Sequence, residues 1–186
     1  MMYLAAPERV LTDRVLIRCY LPGDGEKLSA AVNASYEHLK PWMPWATPDQ
    51  SVADSEQLAR QFRGRWLLAS DFVLGIWSLD ESALLGGTGF HLRHGGLETN
   101  TAEIGMWIAG SQAGKGLGTH TLSALLGWGF SEWPWRRLVW RCDISNHASR
   151  RVAEKAGMGL EGIFRQDARD VRGALRDTAQ YAILRP

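Results

Sequence analysis

The sequence predicts one α/β domain built on a largely antiparallel sheet flanked by helices. Three observations predict it. Three β-like runs follow one another between residues 71 and 110 with short connections, as a meander does. The third runs into AGSQAGKGLG, residues 109–118, which places four glycines in ten residues and then turns into an apolar stretch with helical spacing. Beyond it, strand-like and helix-like segments alternate to the C-terminus. A length of 186 residues suits a single domain, 1–186, since compact domains hold about 100–200 residues. No repeat, low-complexity tract or linker divides the chain.

Taken in order, LTDRVLIRCY (11–20) alternates as one strand, and PGDGEKLSAAVNASYEHLK begins as a turn and continues as a helix. PWMPWATPDQ (41–50) carries three prolines in eight residues, which removes donors and fixes φ, so it reads as an aromatic loop. SVADSEQLARQFRGR (51–65) has the polar start and apolar spacing of a capped amphipathic helix. DFVLGIWSLD, ALLGGTGFHLR and TAEIGMWIAG are the meander strands, the last two joined by the polar loop RHGGLETN. Thr119–Phe130 reads as a helix ended by Trp133-Pro134-Trp135, and RRLVWRCDI as an apolar strand. NHASRRVAEKAGM is a second helix with Asn146 at its N-cap and Gly157 past its end. The tail reads as two strands joined around Gly173.

Composition excludes several classes of function. Lys and Arg total 21 against 20 for Asp and Glu, so no global field recruits nucleic acid or an acidic membrane. Cys19 and Cys142 lie far apart, form no CxxC pair and have no His or Cys at ligand spacing, so they read as buried thiols and no metal is expected. His38, His91, His94, His120 and His147 show no metal spacing either. The N-terminal MMYLAAPERVLTDR lacks the pattern of a signal peptide, and no apolar run reaches the roughly 20 residues of a membrane helix. A cytoplasmic protein is expected. Of the nine tryptophans, Trp42, Trp45, Trp133 and Trp135 lie in segments that also contain proline, where some of them are expected to line a groove.

A strand leading through glycines into a helix presents unpaired N–H groups and the positive end of a helix dipole, a seat for phosphate. A P-loop needs GxxxxGK[ST], but here the lysine precedes the last glycines; a dinucleotide fold needs GxGxxG after a first parallel strand, which GKGLGT does not supply. Coenzyme A is the third ligand class to use such a loop. Alone, the loop fits a plain helix-capping turn equally well.

AGKGLG (113–118) resembles the Q/R-x-x-G-x-G/A motif of the GNAT acetyltransferases, with Ala113 where Gln or Arg is usual. LTDRVLIR resembles the opening of the RimJ/RimL-type subfamily, YEHLKPWMPWA its aromatic substrate-side loop, EIGMWI its central strand, and Asn146–Met158 its second cofactor-side helix. These matches keep the family order from about Leu11 to Tyr181. The resemblance implies a mixed, mostly antiparallel sheet in which two parallel strands splay apart, here Glu103–Ile108 and Leu138–Asp143, with acetyl-CoA held in the gap.

The same resemblance implies roles residue by residue. Met106, Trp107 and Ile108 would hydrogen-bond the pantetheine arm or thioester. Gly114, Lys115, Gly116, Leu117, Gly118 and Thr119 would cradle the pyrophosphate. Asn146 would contact the cofactor arm, beside its capping role, and Ser149 would protonate the departing thiolate. Arg150 and Arg151 would face cofactor phosphates or form a solvated helix face. The subfamily's glutamate base falls on Ala168, next to Asp167, which leaves Glu103 as the carboxylate candidate, acting through water or serving as a structural ion pair. Trp42, Met43 and Trp45 would wall the acceptor site or pack as a satellite cluster, with a carboxylate such as Glu37 favouring a cation. The expected activity is acetyl transfer to a primary amine, a protein N-terminus by subfamily resemblance. The alternatives are a small amine such as an aminoglycoside, polyamine or amino acid derivative, or a non-catalytic acyl-CoA sensor. A homodimer is expected from subfamily habit and exposed aromatics.

Overall fold

The computed structural model describes residues 5–93 and 95–186. Met1–Leu4 of the N-terminal stretch and His94 lie outside the described residues. Among these residues one sheet is built from β1 (Arg9–Leu11), β2 (Leu16–Cys19), β3 (Phe72–Trp77), β4 (Leu84–His91), β5 (Thr101–Ile108), β6 (Arg137–Asp143), β7 (Gly159–Arg169) and β8 (Leu175–Leu184). Its order is β1-β2-β3-β4-β5-β6-β8-β7. Every neighbouring pair is antiparallel except β5–β6.

Five helices accompany it: α1 (Gly25–Leu39), α2 (Val52–Leu67), α3 (Gly96–Thr99), α4 (Leu117–Ser131) and α5 (His147–Lys155). The expected element order holds with two differences. The single strand expected over 11–20 is a hairpin, because Thr12 folds the chain back: its Oγ1 accepts from the Arg14 and Val15 N–H groups at 3.2 and 2.9 Å. The polar loop after β4 contains the one-turn helix α3, closed by Asn100 in the left-handed conformation at φ 52°. The capped start of α2 is as expected, with Ser51 Oγ accepting from Asp54 N at 3.0 Å.

Strand alternation sorts the sheet into two faces. Phe90 of β4 pairs with Ile104 of β5, and both are buried in the main core with Leu122, Leu125 and Trp128 of α4. Fully burying each such side chain stabilises the fold by about 1.5–3 kcal/mol. The opposite face carries Leu16 and Trp77 against Leu28 and Val32 of α1 and Ala59 of α2 in a smaller cluster.

Of the four tryptophans among which some are expected to line a groove, Trp133 and Trp135 belong to the core instead. They are buried, stacked on each other with centroids 5.8 Å apart, and packed against Phe72 and Phe90. The apolar faces of indole outweigh the loop-forming tendency of Pro134 between them. Among the described residues no helix is long and apolar enough to cross a membrane.

Candidate active site

The parallel pairing of β5 and β6 covers only Thr101–Glu103 against Arg137–Val139. Beyond that point β5 stays with β4 as far as Ile108 and β6 stays with β8 as far as Asp143. The two strands diverge, and the edge of β5 that would face β6 loses its partner from Ile104 onward. A buried strand edge without a partner is costly. Here the opening forms part of a cavity of about 910 Å³ lined by Ile104–Trp107 on one side and Trp140–Asp143 on the other. Pockets that take small ligands span about 300–1,000 Å³.

At one end of the gap the glycine loop leads into α4. Gly116 caps that helix at φ 76°, and Gly114 lies at φ 75°, both in the left-handed region that favours glycine. The first four N–H groups of a helix have no intrahelical acceptor, and no acidic side chain occupies the first turn of α4. Leu117 anchors this turn by burying its side chain in the core. Lys115 is exposed, its carbonyl accepting from Arg14 Nη2 at 3.2 Å. Gly118 faces Val152 of α5 and Ile108, from which a Cβ there would lie at the ordinary contact distances of 3.4 and 3.7 Å. Gly114–Thr119 and Ile108 stand outside the cavity lining, whereas Met106 and Trp107 are in it.

Across the gap, Asn146 caps α5, its Oδ1 accepting from Ser149 N at 3.0 Å. Ser149 Oγ accepts from Trp140 Nε1 at 3.1 Å, which leaves the hydroxyl proton available to donate. Asn146, Ser149 and Cys142 all line the cavity. Burial pushes the Cys142 thiol up, against the contact with Ser149 and the charges of Arg150 and Arg176. Arg150 is engaged elsewhere: its Nε donates to Tyr181 Oη at 3.2 Å, and that hydroxyl donates to Glu154. Arg151 is exposed.

The rest of the cavity lies on the α1/α2 face of the sheet. Trp42, Met43 and Trp45 line the cavity, and Trp45 meets Trp107 edge-on with centroids 5.9 Å apart. The expected carboxylate Glu37 is instead exposed and paired with Lys40 at 2.5 Å; the cavity is lined by Asp49 and Asp54. Glu103 is buried and held by Arg93 at 2.7 Å. Asp167 is bound by Arg141, and Ala168 pairs with Arg176 in the β7–β8 ladder. The hairpin loop beyond them contributes Asp170 and Val171 to the cavity wall.

A pair unassigned in the sequence stands beside Glu103. His91 Nδ1 lies 3.0 Å from Asp71 Oδ1, and the β4–β5 register puts His91 opposite Glu103. Burial pushes the Asp71 carboxyl up, but the His91 hydrogen bond and charge, the Phe72 N–H and Arg93 together hold it below the usual carboxylate range. The signal for this pair was the run of glycines inside β4 and β5, since glycine in a strand marks a close approach. A Cβ at Gly105 would lie 3.0 Å from His91 Nε2, and one at Gly87 would lie 2.3 Å from Trp107 Nε1. Two flat rings occupy the space that those side chains would fill. Among the described residues no cluster of His, Cys, Asp and Glu could hold a metal ion.

Residues 14–159 match the family model described as an acetyltransferase (GNAT) domain. The chain is similar, at 27% identity over 94% of its length and 93% of the relative's, to YdaF of Bacillus subtilis (strain 168), by its name a candidate ribosomal N-acetyltransferase. It is 37% identical over 82 residues, 44% of this chain and 45% of the relative, to the ribosomal-protein-serine acetyltransferase of Escherichia coli (strain K12). Its fold superposes with a TM-score of 0.85 on the ribosomal-protein-S5-alanine acetyltransferase from Vibrio fischeri, at 16% identity and covering 96% and 97% of the two chains.

Proposed function

The chain belongs to the GNAT acetyltransferase family, and from that premise we propose that it acetylates the α-amino group of a protein N-terminus, ribosomal proteins foremost, in the cytoplasm. Acetyl-CoA is the cosubstrate of this chemistry. The observation that carries the reading is the continuous cavity, which joins the β5–β6 divergence to an outer half flanked by the Trp42–Trp45 loop and the β7–β8 hairpin loop. That shape suits a thin, extended acceptor entering opposite the cofactor, and the names of two relatives point to the same acceptor class.

In this reading the α4 N-terminus with Gly114–Thr119 receives the pyrophosphate. The open edge at Met106–Ile108 receives the pantetheine arm and thioester oxygen, with Asn146 across the gap. The amine, having given one proton to a base, attacks the thioester carbon; the C–N bond forms as the C–S bond breaks. Ser149 gives its hydroxyl proton to the departing thiolate and recovers one as the amide nitrogen loses its second proton. Glu103 is a buried carboxylate on the acceptor face, where its charge favours an ammonium group.

The test is steady-state release of coenzyme A thiol across peptides with varied N-termini and small primary amines, with Ser149→Ala alongside. Turnover confined to peptides with a free α-amino group, and lowered in the variant, supports the reading. Turnover with small amines alone moves the acceptor to a metabolite or drug, and acetyl-CoA binding without any turnover replaces the enzyme by a sensor.

A further inference from the structure

We propose that His91, oriented by Asp71, is the group that takes the proton from the incoming amine. The proposal rests on the acetyl-transfer reading and adds to it the identity of the base. Asp71 is held in its ionised form, and an ionised carboxylate only accepts hydrogen bonds. The proton of a neutral His91 ring therefore sits on Nδ1, facing Asp71 at 3.0 Å, and Nε2 carries the free lone pair. Nε2 has no hydrogen-bond partner among the described residues, and the ring lines the cavity.

Its position follows from the strand glycines. The ring lies over Gly89 and Gly105, where a Cβ would come within 3.1 and 3.0 Å of it. Gly105 is the second residue past Glu103, where β5 and β6 part, and immediately precedes Met106 at the thioester end of the open edge. An amine poised to attack there has the imidazole on the acceptor side of the sheet. The charged groups around the ring are Asp71 before β3, Arg65 of α2, Arg93 beyond β4 and Glu103 of β5. Glu103 is engaged by Arg93 at 2.7 Å, so one of its oxygens already accepts from a guanidinium. Imidazole, by contrast, ordinarily exchanges its proton between pH 5 and 8. The step balances: the ammonium nitrogen gives one proton to Nε2, its lone pair attacks the thioester carbon, and the imidazolium returns the proton to solvent after coenzyme A leaves. Asp71 acts through His91 as a positioning residue.

The experiment measures kcat/KM against pH with the best acceptor from the peptide and amine panel, for wild type, His91→Gln, Asp71→Asn and Glu103→Gln. Acetyl-CoA affinity serves as the control for folding. His91→Gln is expected to lose about 100-fold in kcat, to leave acetyl-CoA affinity within twofold, and to move the acidic limb to that of the free amine. Asp71→Asn should move the same limb with a smaller loss. In His91→Ala, added imidazoles should restore turnover, more so as their basicity rises. A His91→Gln enzyme that keeps its rate and limb, while Glu103→Gln loses both, overturns the proposal and returns the role to Glu103; rescue indifferent to the basicity of the added imidazole also overturns it. If wild type turns over no amine while binding acetyl-CoA, the acetyl-transfer reading itself fails and this proposal falls with it.

Discussion

The two halves of the proposed site are made of different material. In the proposed reading the cofactor half presents mostly backbone: the unpartnered edge of β5 within the cavity and, beyond its lining, the first-turn N–H groups of α4 and two glycines at φ 75° and 76°. The acceptor half presents side chains on a floor of strand glycines, with Trp107 over Gly87 and His91 over Gly89 and Gly105. A backbone site holds its geometry while its side chains vary; a side-chain site changes specificity one residue at a time. The difference predicts that a cofactor-half substitution affects every acceptor equally, whereas an acceptor-half substitution discriminates among acceptors.

Ser149→Ala gives the largest expected effect. Removing the proton donor to the thiolate should lower kcat by about 100-fold for every acceptor, with acetyl-CoA affinity within twofold; single-turnover kinetics checks it. A loss that depends on the acceptor would break the division between halves. Next is Gly116→Val. A side chain at this left-handed position costs roughly 1–2 kcal/mol, which corresponds to an acetyl-CoA Kd raised by about 5–30-fold if the strain is relieved by moving the loop. Equilibrium binding checks it, and unaltered affinity would remove the loop from the cofactor site.

Trp45→Ala sharpens the comparison from the other side. Its edge contact with Trp107 belongs to a class worth about 0.5–1.5 kcal/mol, so acceptor KM should rise by about 2–12-fold, and by different factors for different N-termini. Steady-state kinetics on the peptide panel checks it. The smallest effect is on stability. The folded-state pKa of Asp71 lies below its unfolded value, so its contribution is present above about pH 4 and is lost as pH falls through the folded value. Asp71→Asn should therefore melt a few degrees below wild type at pH 6, with the gap closing as the pH falls below about 4. A gap that persists at pH 2, measured by thermal denaturation, contradicts that linkage.

The same contrast explains what was legible in the sequence. Local spacing shows glycines before an apolar helical run and a cap Asn146 three residues ahead of Ser149, and the resemblance to the GNAT family turns these into expected cofactor contacts. Such features are visible locally because they lie on consecutive residues. In the acceptor half, Asp71, His91 and Glu103 come from three segments, and only the β4–β5 register sets His91 against Glu103. The glycines of LLGGTGFH were the available trace, and without strand pairing they name no partner.

Elsewhere tertiary context decided. Trp133 and Trp135 flank a proline as Trp42 and Trp45 do, yet the first two complete an aromatic core with Phe72 and Phe90 while the others stand 39% and 48% exposed. Thr12 could continue a strand or fold it back, and its bonds to Arg14 and Val15 select the hairpin. The Glu37 carboxylate lies one turn from the aromatic loop in sequence, but Lys40 on the same helical flank engages it.

The most direct test of a backbone-built cofactor half beside a side-chain-built acceptor half is calorimetric titration of acetyl-CoA into wild type, Gly116→Val and Trp45→Ala. The account predicts weakened binding in Gly116→Val and an unchanged Kd in Trp45→Ala. Equal weakening in both variants, or weakening in Trp45→Ala alone, would contradict it.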